Sequence, residues 1–99
     1  MNILKMKDKD VMTITLEGRL DTVTAPEMVD TVKELDCKEL TVDLEKLEYI
    51  SSAGLRALLV CKKTADQCGA AFCVKNPTQP VFEVMRMSGF DKVLTIQRD

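Results

Sequence analysis

Short runs with a two-residue period alternate along this chain with runs of helical period, and turn residues separate them, which leaves few folds open. In Asn2–Met6 and again in Val11–Leu16, apolar and β-branched side chains alternate with polar ones, and the charged segment Lys7-Asp8-Lys9-Asp10 lies between. Such alternation puts one face of a strand on a core, and the close spacing predicts an antiparallel hairpin. Downstream the pattern predicts a helix from about Ala25 to Leu35, a strand at Leu40–Leu44 and a helix from Ser51-Ser52 to about Gln67. A strand at Ala71–Val74, a helix beginning at Thr78-Gln79-Pro80 and a last strand at Lys92–Ile96 complete the series. Strands separated by helices are joined by crossovers and therefore lie parallel. The predicted class is α/β: one small domain over residues 1–99, with a mixed, mostly parallel sheet opened by an N-terminal hairpin and covered by helices.

Local signals set the expected boundaries. Thr24-Ala25-Pro26-Glu27 reads as a capping box, in which Thr24 accepts from the Glu27 amide and proline occupies the first turn. Met28, Val29, Val32 and Leu35 share one face of that helix, the face expected on the sheet. Leu47-Glu48-Tyr49-Ile50 reads as the approach to the second helix. There Leu55, Leu58, Leu59 and Lys62 form one stripe and Ala57, Val60, Cys61 and Thr64 another, so it is expected to be broadly buried. Lys62, Lys63 and Asp66 read as a solvated face, and Gly69 and Gly89 as helix stops.

Composition removes whole classes of chemistry. The chain has no histidine, so Ser-His-Asp and Cys-His nucleophile systems and most catalytic zinc sites are excluded. Ser51 and Ser52 also lack the Ser-x-x-Lys arrangement, which leaves no activated nucleophile and points away from an enzyme. Fourteen Lys and Arg against 16 Asp and Glu give a net charge of −2, without the broad positive field that a nucleic-acid partner needs. The longest apolar stretch, Ala57–Cys61, is far short of the roughly 20 residues that span a bilayer, and the N-terminus lacks the long apolar region of a signal peptide. A cytoplasmic protein without a membrane partner is expected. No Gly-rich phosphate-binding motif occurs, so no nucleotide cofactor is expected. Cys37, Cys61, Cys68 and Cys73 form no C-x-x-C pair. They read as reduced, structural thiols and not as a metal site, with Cys37 and Cys68, at predicted element ends, the two most open to oxidation.

The segment that carries potential chemistry is Ser51-Ser52-Ala53-Gly54 at a predicted helix start. A serine there is ordinarily an N-cap, contributing about 1 kcal/mol by accepting from an unpaired amide. The same amides and the positive end of the helix dipole also favour a phosphate, whose charge would act outward on any partner packed over the helix start. Asp21 lies in the loop after a predicted strand, at the carboxyl edge where sites of parallel sheets form. It either approaches Ser51 and Ser52 or serves as a local turn acceptor. Asp43, read as a strand end, has the same two readings. Met28, Met85 and Met87 read either as core or as an adaptable recognition surface.

These motifs, taken in order, resemble the STAS family, and within it the small stand-alone anti-sigma factor antagonists. Gly18-Arg19-Leu20-Asp21-Thr22-Val23-Thr24-Ala25 is similar to the family's early G-x-[LI]-D segment. Val42-Asp43-Leu44 followed by Tyr49-Ile50-Ser51-Ser52-Ala53-Gly54-Leu55-Arg56 is similar to its phosphorylation loop and helix, and the likeness covers nearly the whole chain. The resemblance implies a STAS-like domain that binds an anti-sigma factor with serine/threonine kinase activity, is released on phosphorylation, and is restored by a metal-dependent serine phosphatase. It places the phosphosite at Ser52. Ser51 stands where many members have aspartate and is a secondary acceptor, and Ala53 stands where others carry the hydroxyl. Asp21 and Thr22 flank the site, Asp21 to orient the hydroxyl or engage the partner. Gly54 permits close approach of a partner or phosphate, and Arg56 belongs to the partner-binding surface. A monomer without cofactors is implied. The alternative is a small-molecule-sensing or scaffold version of the same module, without a phosphorylation switch.

Overall fold

Alternation at the N-terminus produces the expected hairpin. A computed structural model describes residues 1–33 and 36–98. In it β1 (Asn2–Asp8) pairs antiparallel with β2 (Val11–Leu20), from Asn2 opposite Glu17 to Asp8 opposite Val11. Lys9, at φ 56°, and Asp10 make the turn. β3 (Glu39–Ile50), β4 (Ala71–Lys75) and β5 (Ile96–Gln97) add in parallel, and the five strands lie in sequence order. The helices are α1 (Ala25–Thr31), α2 (Ser52–Gln67), α3 (Gln79–Met87) and the single turn α4 (Phe90–Val93). None among the described residues is long and apolar enough to cross a membrane.

The two-residue period explains where the core lies. Ile14 and Leu16 of β2, Leu40, Val42 and Leu44 of β3, and Val74 of β4 are fully buried and cluster with Met28 of α1, Leu55 and Leu58 of α2, and Val81 and Met85 of α3. The residues between them, Thr13, Thr41, Asp43, Cys73 and Lys75, line the opposite face of the sheet.

Several local expectations are corrected. Thr24 does not form the capping box: its hydroxyl lies 2.9 Å from both the Asp21 amide, from which it accepts, and the Arg19 carbonyl, to which it donates. The Asp21 turn takes it, so it is not available to the Glu27 amide. α1 ends at Thr31, because Val32 and Lys33 donate to Val29 and Asp30, one residue tighter than an α-helical bond. Leu35 lies outside the described residues. The approach segment Leu47–Ile50 is part of β3, whose register against β2 shifts beyond Thr15 and again after Gly18. Those shifts leave Glu45 and Lys46 in solvent while Leu44 and Leu47 remain buried. Asp43 therefore lies inside a strand, its Oδ1 accepting from the Glu45 amide at 2.9 Å. α2 buries one face, with Gly54, Leu55, Ala57, Leu58, Cys61 and Ala65 inside and Arg56, Val60 and Lys63 in solvent. At the C-terminus the predicted strand Lys92–Ile96 is mostly helix and loop. Gly89, left-handed at φ 79°, starts α4 directly after α3, and only Ile96–Gln97 reach the sheet.

Candidate functional site

β2 and β3 end side by side, with Leu20 opposite Ile50, and the Ser51 amide donates to the Leu20 carbonyl at 2.9 Å. This bond brings the Asp21–Thr24 loop and the start of α2 to one edge of the sheet, although they are far apart in sequence. Ser51, with extended backbone, is the N-cap. Its Oγ accepts from the Gly54 amide at 3.2 Å and its carbonyl from the Leu55 amide at 2.9 Å. Ser52 is the first helical residue and is exposed. The two serines thus divide the roles that sequence left open: one closes the helix and the other faces solvent.

Gly54 is required by the fold itself. A Cβ there would lie 2.5 Å from the Leu20 carbonyl oxygen and 2.8 Å from Ile50 Cγ1. This crowding comes from the ends of β2 and β3 beneath α2.

The bonds of the Asp21 carboxylate run within its own turn. Oδ1 accepts from the Val23 amide at 3.0 Å, the Thr24 amide at 3.2 Å and the Thr24 hydroxyl at 3.2 Å, and Arg19 lies 3.9 Å from Oδ2. The Thr24 amide, with the other donors and Arg19 behind it, lowers the carboxyl below the usual aspartate range. A lowered folded pKa contributes stability that is present above the unfolded value and lost as pH falls through the folded one. Melting temperature should therefore drop as pH falls below about 4, and Asp21→Asn should flatten that part of the profile, as thermal denaturation across pH 2–5 would show.

Two apolar hollows flank the helix start. One lies between α1 and α2 and is lined by Thr22, Pro26, Val29, Ala53, Arg56 and Val60. The other lies between the start of α2 and the end of α3 and is lined by Tyr49, Ser51, Ser52, Leu55, Val84 and Met87. Tyr49 is 41% and Met87 78% exposed. Arg19 stacks over the Tyr49 ring, 4.3 Å from its centroid, and holds it at the rim. Among the described residues no group of three or more cysteine, aspartate or glutamate side chains is placed to hold a metal ion.

A family model described as "Mlab, STAS domain" matches residues 4–96. The chain belongs to the STAS domain family. It is 27% identical over 92 residues to the anti-sigma F factor antagonist of Paenibacillus polymyxa, an overlap of 89% of this chain and 79% of that protein. Its fold is that of the anti-sigma factor antagonist SpoIIAA in its unphosphorylated form, with a TM-score of 0.80 at 17% identity over 96% of this chain and 87% of that one. The Bacillus cell fate determinant SpoIIAA in its phosphorylated form superimposes with a TM-score of 0.74 at 16% identity, over 96% and 90% of the two chains.

In this STAS domain the sequence-predicted residues Ser51, Ser52, Ala53, Gly54 and Arg56 occupy the first turns of α2, and Thr22 reaches the α1–α2 hollow beside Ala53 and Arg56. Asp21 is on the same edge, held in its turn. Sequence reasoning missed the contribution of α3, since Val84, Met87 and Ser88 form a wall beside Ser52. The methionine pattern was the available signal: Met28 and Met85 are fully buried, whereas Met87 faces solvent at the site.

Proposed function

We propose that this STAS domain is an anti-sigma factor antagonist that binds an anti-sigma factor while Ser52 is unmodified and is released when the kinase activity of that partner phosphorylates Ser52. The observation that carries the reading is the position of Ser52. It is exposed on the first turn of a 16-residue helix, at the rim of an apolar hollow, while its neighbour Ser51 does the capping. The first amides of α2 have no partner within the helix, so a phosphate on Ser52 sits near the positive end of the dipole without breaking a fold contact. Its added charge, about −1.5 to −2, falls instead on whatever packs over Tyr49, Val84 and Met87. The kinase catalyses transfer of the phosphoryl group to Ser52 Oγ, and this chain acts as substrate and ligand. A metal-dependent serine phosphatase hydrolyses the ester and restores binding. Membership of the STAS family and the names of its antagonist relatives support the reading.

The test is tandem mass spectrometry of the tryptic peptide Leu47–Arg56 from protein isolated from its native cells. Phosphate is expected on Ser52. Phosphate on Ser51 would move the switch by one residue, and an unmodified peptide under every growth condition would favour a scaffold or ligand-sensing module.

A further inference from the structure

The four cysteines are free, and the fold sorts them. Cys61 is buried in the core, where loss of water pushes its thiol up to about 12. Cys73 lies on the opposite face of the sheet, 3.6 Å from the Thr41 hydroxyl. Cys37 and Cys68 are distant in sequence but share one corner. β3 and β4 pair with Glu39 opposite Ala71, and the Ala71 amide donates to the Lys38 carbonyl at 2.9 Å, so the pairing extends beyond the strands. Cys37 immediately precedes Lys38 and Cys68 lies three residues before Ala71, so this bond brings the two cysteine-bearing segments to the same corner. A disulfide needs its Cα atoms about 4.4–6.8 Å apart, so closure requires this corner to bring Cys37 and Cys68 to that spacing.

Cys68 reaches that corner because it is the C-cap of α2. The chain reverses there through Gly69, at φ 75°, with Gly69 donating to Asp66 at 3.2 Å and Ala70 to Ala65 at 2.8 Å. Cys68 is exposed and Cys37 half-buried. Burial, the larger cause, and the neighbouring Cys68 both push the Cys37 thiol upward, although Lys7 opposes them. Cys68 is therefore near enough for its charge to be felt at Cys37, which agrees with the shared corner.

We propose that Cys37 and Cys68 form a redox-sensitive pair that closes to an intramolecular disulfide when the chain meets a low-molecular-weight disulfide such as oxidised glutathione. The Cys68 thiolate attacks one glutathione sulfur, the glutathione disulfide breaks, and one glutathione leaves as a thiolate that takes up a proton. The Cys37 thiolate then attacks the Cys68 sulfur of the mixed disulfide and expels the second glutathione. The two protein thiols together lose two electrons and two hydrogens, and oxidised glutathione gains them as two thiols. Cys37 must deprotonate for the second step, so closure speeds up as pH rises. The bridge ties the start of β3 to the end of α2 away from Ser52, so it tightens the fold without covering the site. Closing so long a loop should raise the melting temperature by roughly 10 °C.

The full chain is incubated with oxidised glutathione, its remaining thiols are blocked, and it is digested with trypsin. A cross-link between peptides Glu34–Lys38 and Thr64–Lys75 is expected. The second peptide carries both Cys68 and Cys73, so two variants decide the partner: the link should vanish in Cys68→Ser and persist in Cys73→Ser. Cys37→Ser should stop at the glutathione adduct on Cys68, and the gain in melting temperature of the native chain should disappear with dithiothreitol. Persistence of the link in Cys68→Ser, or a native chain that stops at the mixed disulfide, would overturn the pairing. Neither result bears on phosphorylation of Ser52.

Discussion

Ser52→Asp should weaken binding to the anti-sigma factor about a hundredfold, a loss of about 2.7 kcal/mol measured by titration calorimetry. The substitution places a carboxylate at the rim of the hollow lined by Tyr49, Leu55, Val84 and Met87. Any partner surface that covers these side chains must strip water from the new charge, and apolar or acidic groups in it give nothing in return. The fold should not register the change, because an acidic residue in the first turn of a helix is neutral to slightly favourable. The melting temperature should therefore stay within a few degrees of the native value. Ser52→Ala should keep full affinity and resist phosphorylation, which separates loss of the hydroxyl from gain of charge. Equal affinity of Ser52→Asp and the native chain would sink the switch mechanism.

Gly54→Ala should destabilise the chain by about 3 kcal/mol and lower its melting temperature by roughly 15 °C. In an open helix the change would stabilise by about 1 kcal/mol, since alanine is the better helix former. Here the added methyl would meet the Leu20 carbonyl oxygen at 2.5 Å, Ile50 Cγ1 at 2.8 Å and Leu20 Cγ at 3.0 Å. Leu20 and Ile50 are buried, and the Leu20 carbonyl also accepts from the Ser51 amide, so relief requires α2 to lift and that bond to lengthen. The same bond positions Ser51 and Ser52 against the Asp21 turn. Partner affinity should therefore fall together with stability, unlike in Ser52→Asp. Calorimetric melting checks the sign directly: a variant as stable as the native chain would mean that α2 packs further from β2 than described.

Much of the architecture was legible because each strand or helix encodes its own buried face. Alternation at Val11–Leu16 and the apolar spacing around Leu55 and Leu58 gave the hairpin, the parallel order and the second helix. Where local signals failed, a contact from elsewhere outweighed them. The pattern predicts a strand only over Leu40–Leu44, but the shifted register against β2 lets Glu45, Lys46 and Glu48 face solvent inside one continuous strand. Val93 and Thr95 favour a strand by type, yet the left-handed turn at Gly89 sends Phe90–Val93 into a helix before the sheet is reached. The capping box at Thr24 matched its motif, but the Asp21 turn competes for the same hydroxyl and holds it.

The serine pair, the glycine after it and the Asp21 segment were determined by sequence alone, because helix starts and turns depend on residues only a few positions apart. Which serine caps the helix and which faces solvent, that Gly54 answers to Leu20, that Met87 and Tyr49 border Ser52, and that Cys37 shares a corner of the fold with the end of α2 were decided only by tertiary structure. Each depends on the register between strands or on the seating of a helix over the sheet. No short-range pattern records such contacts, because they join elements that meet only when the core closes.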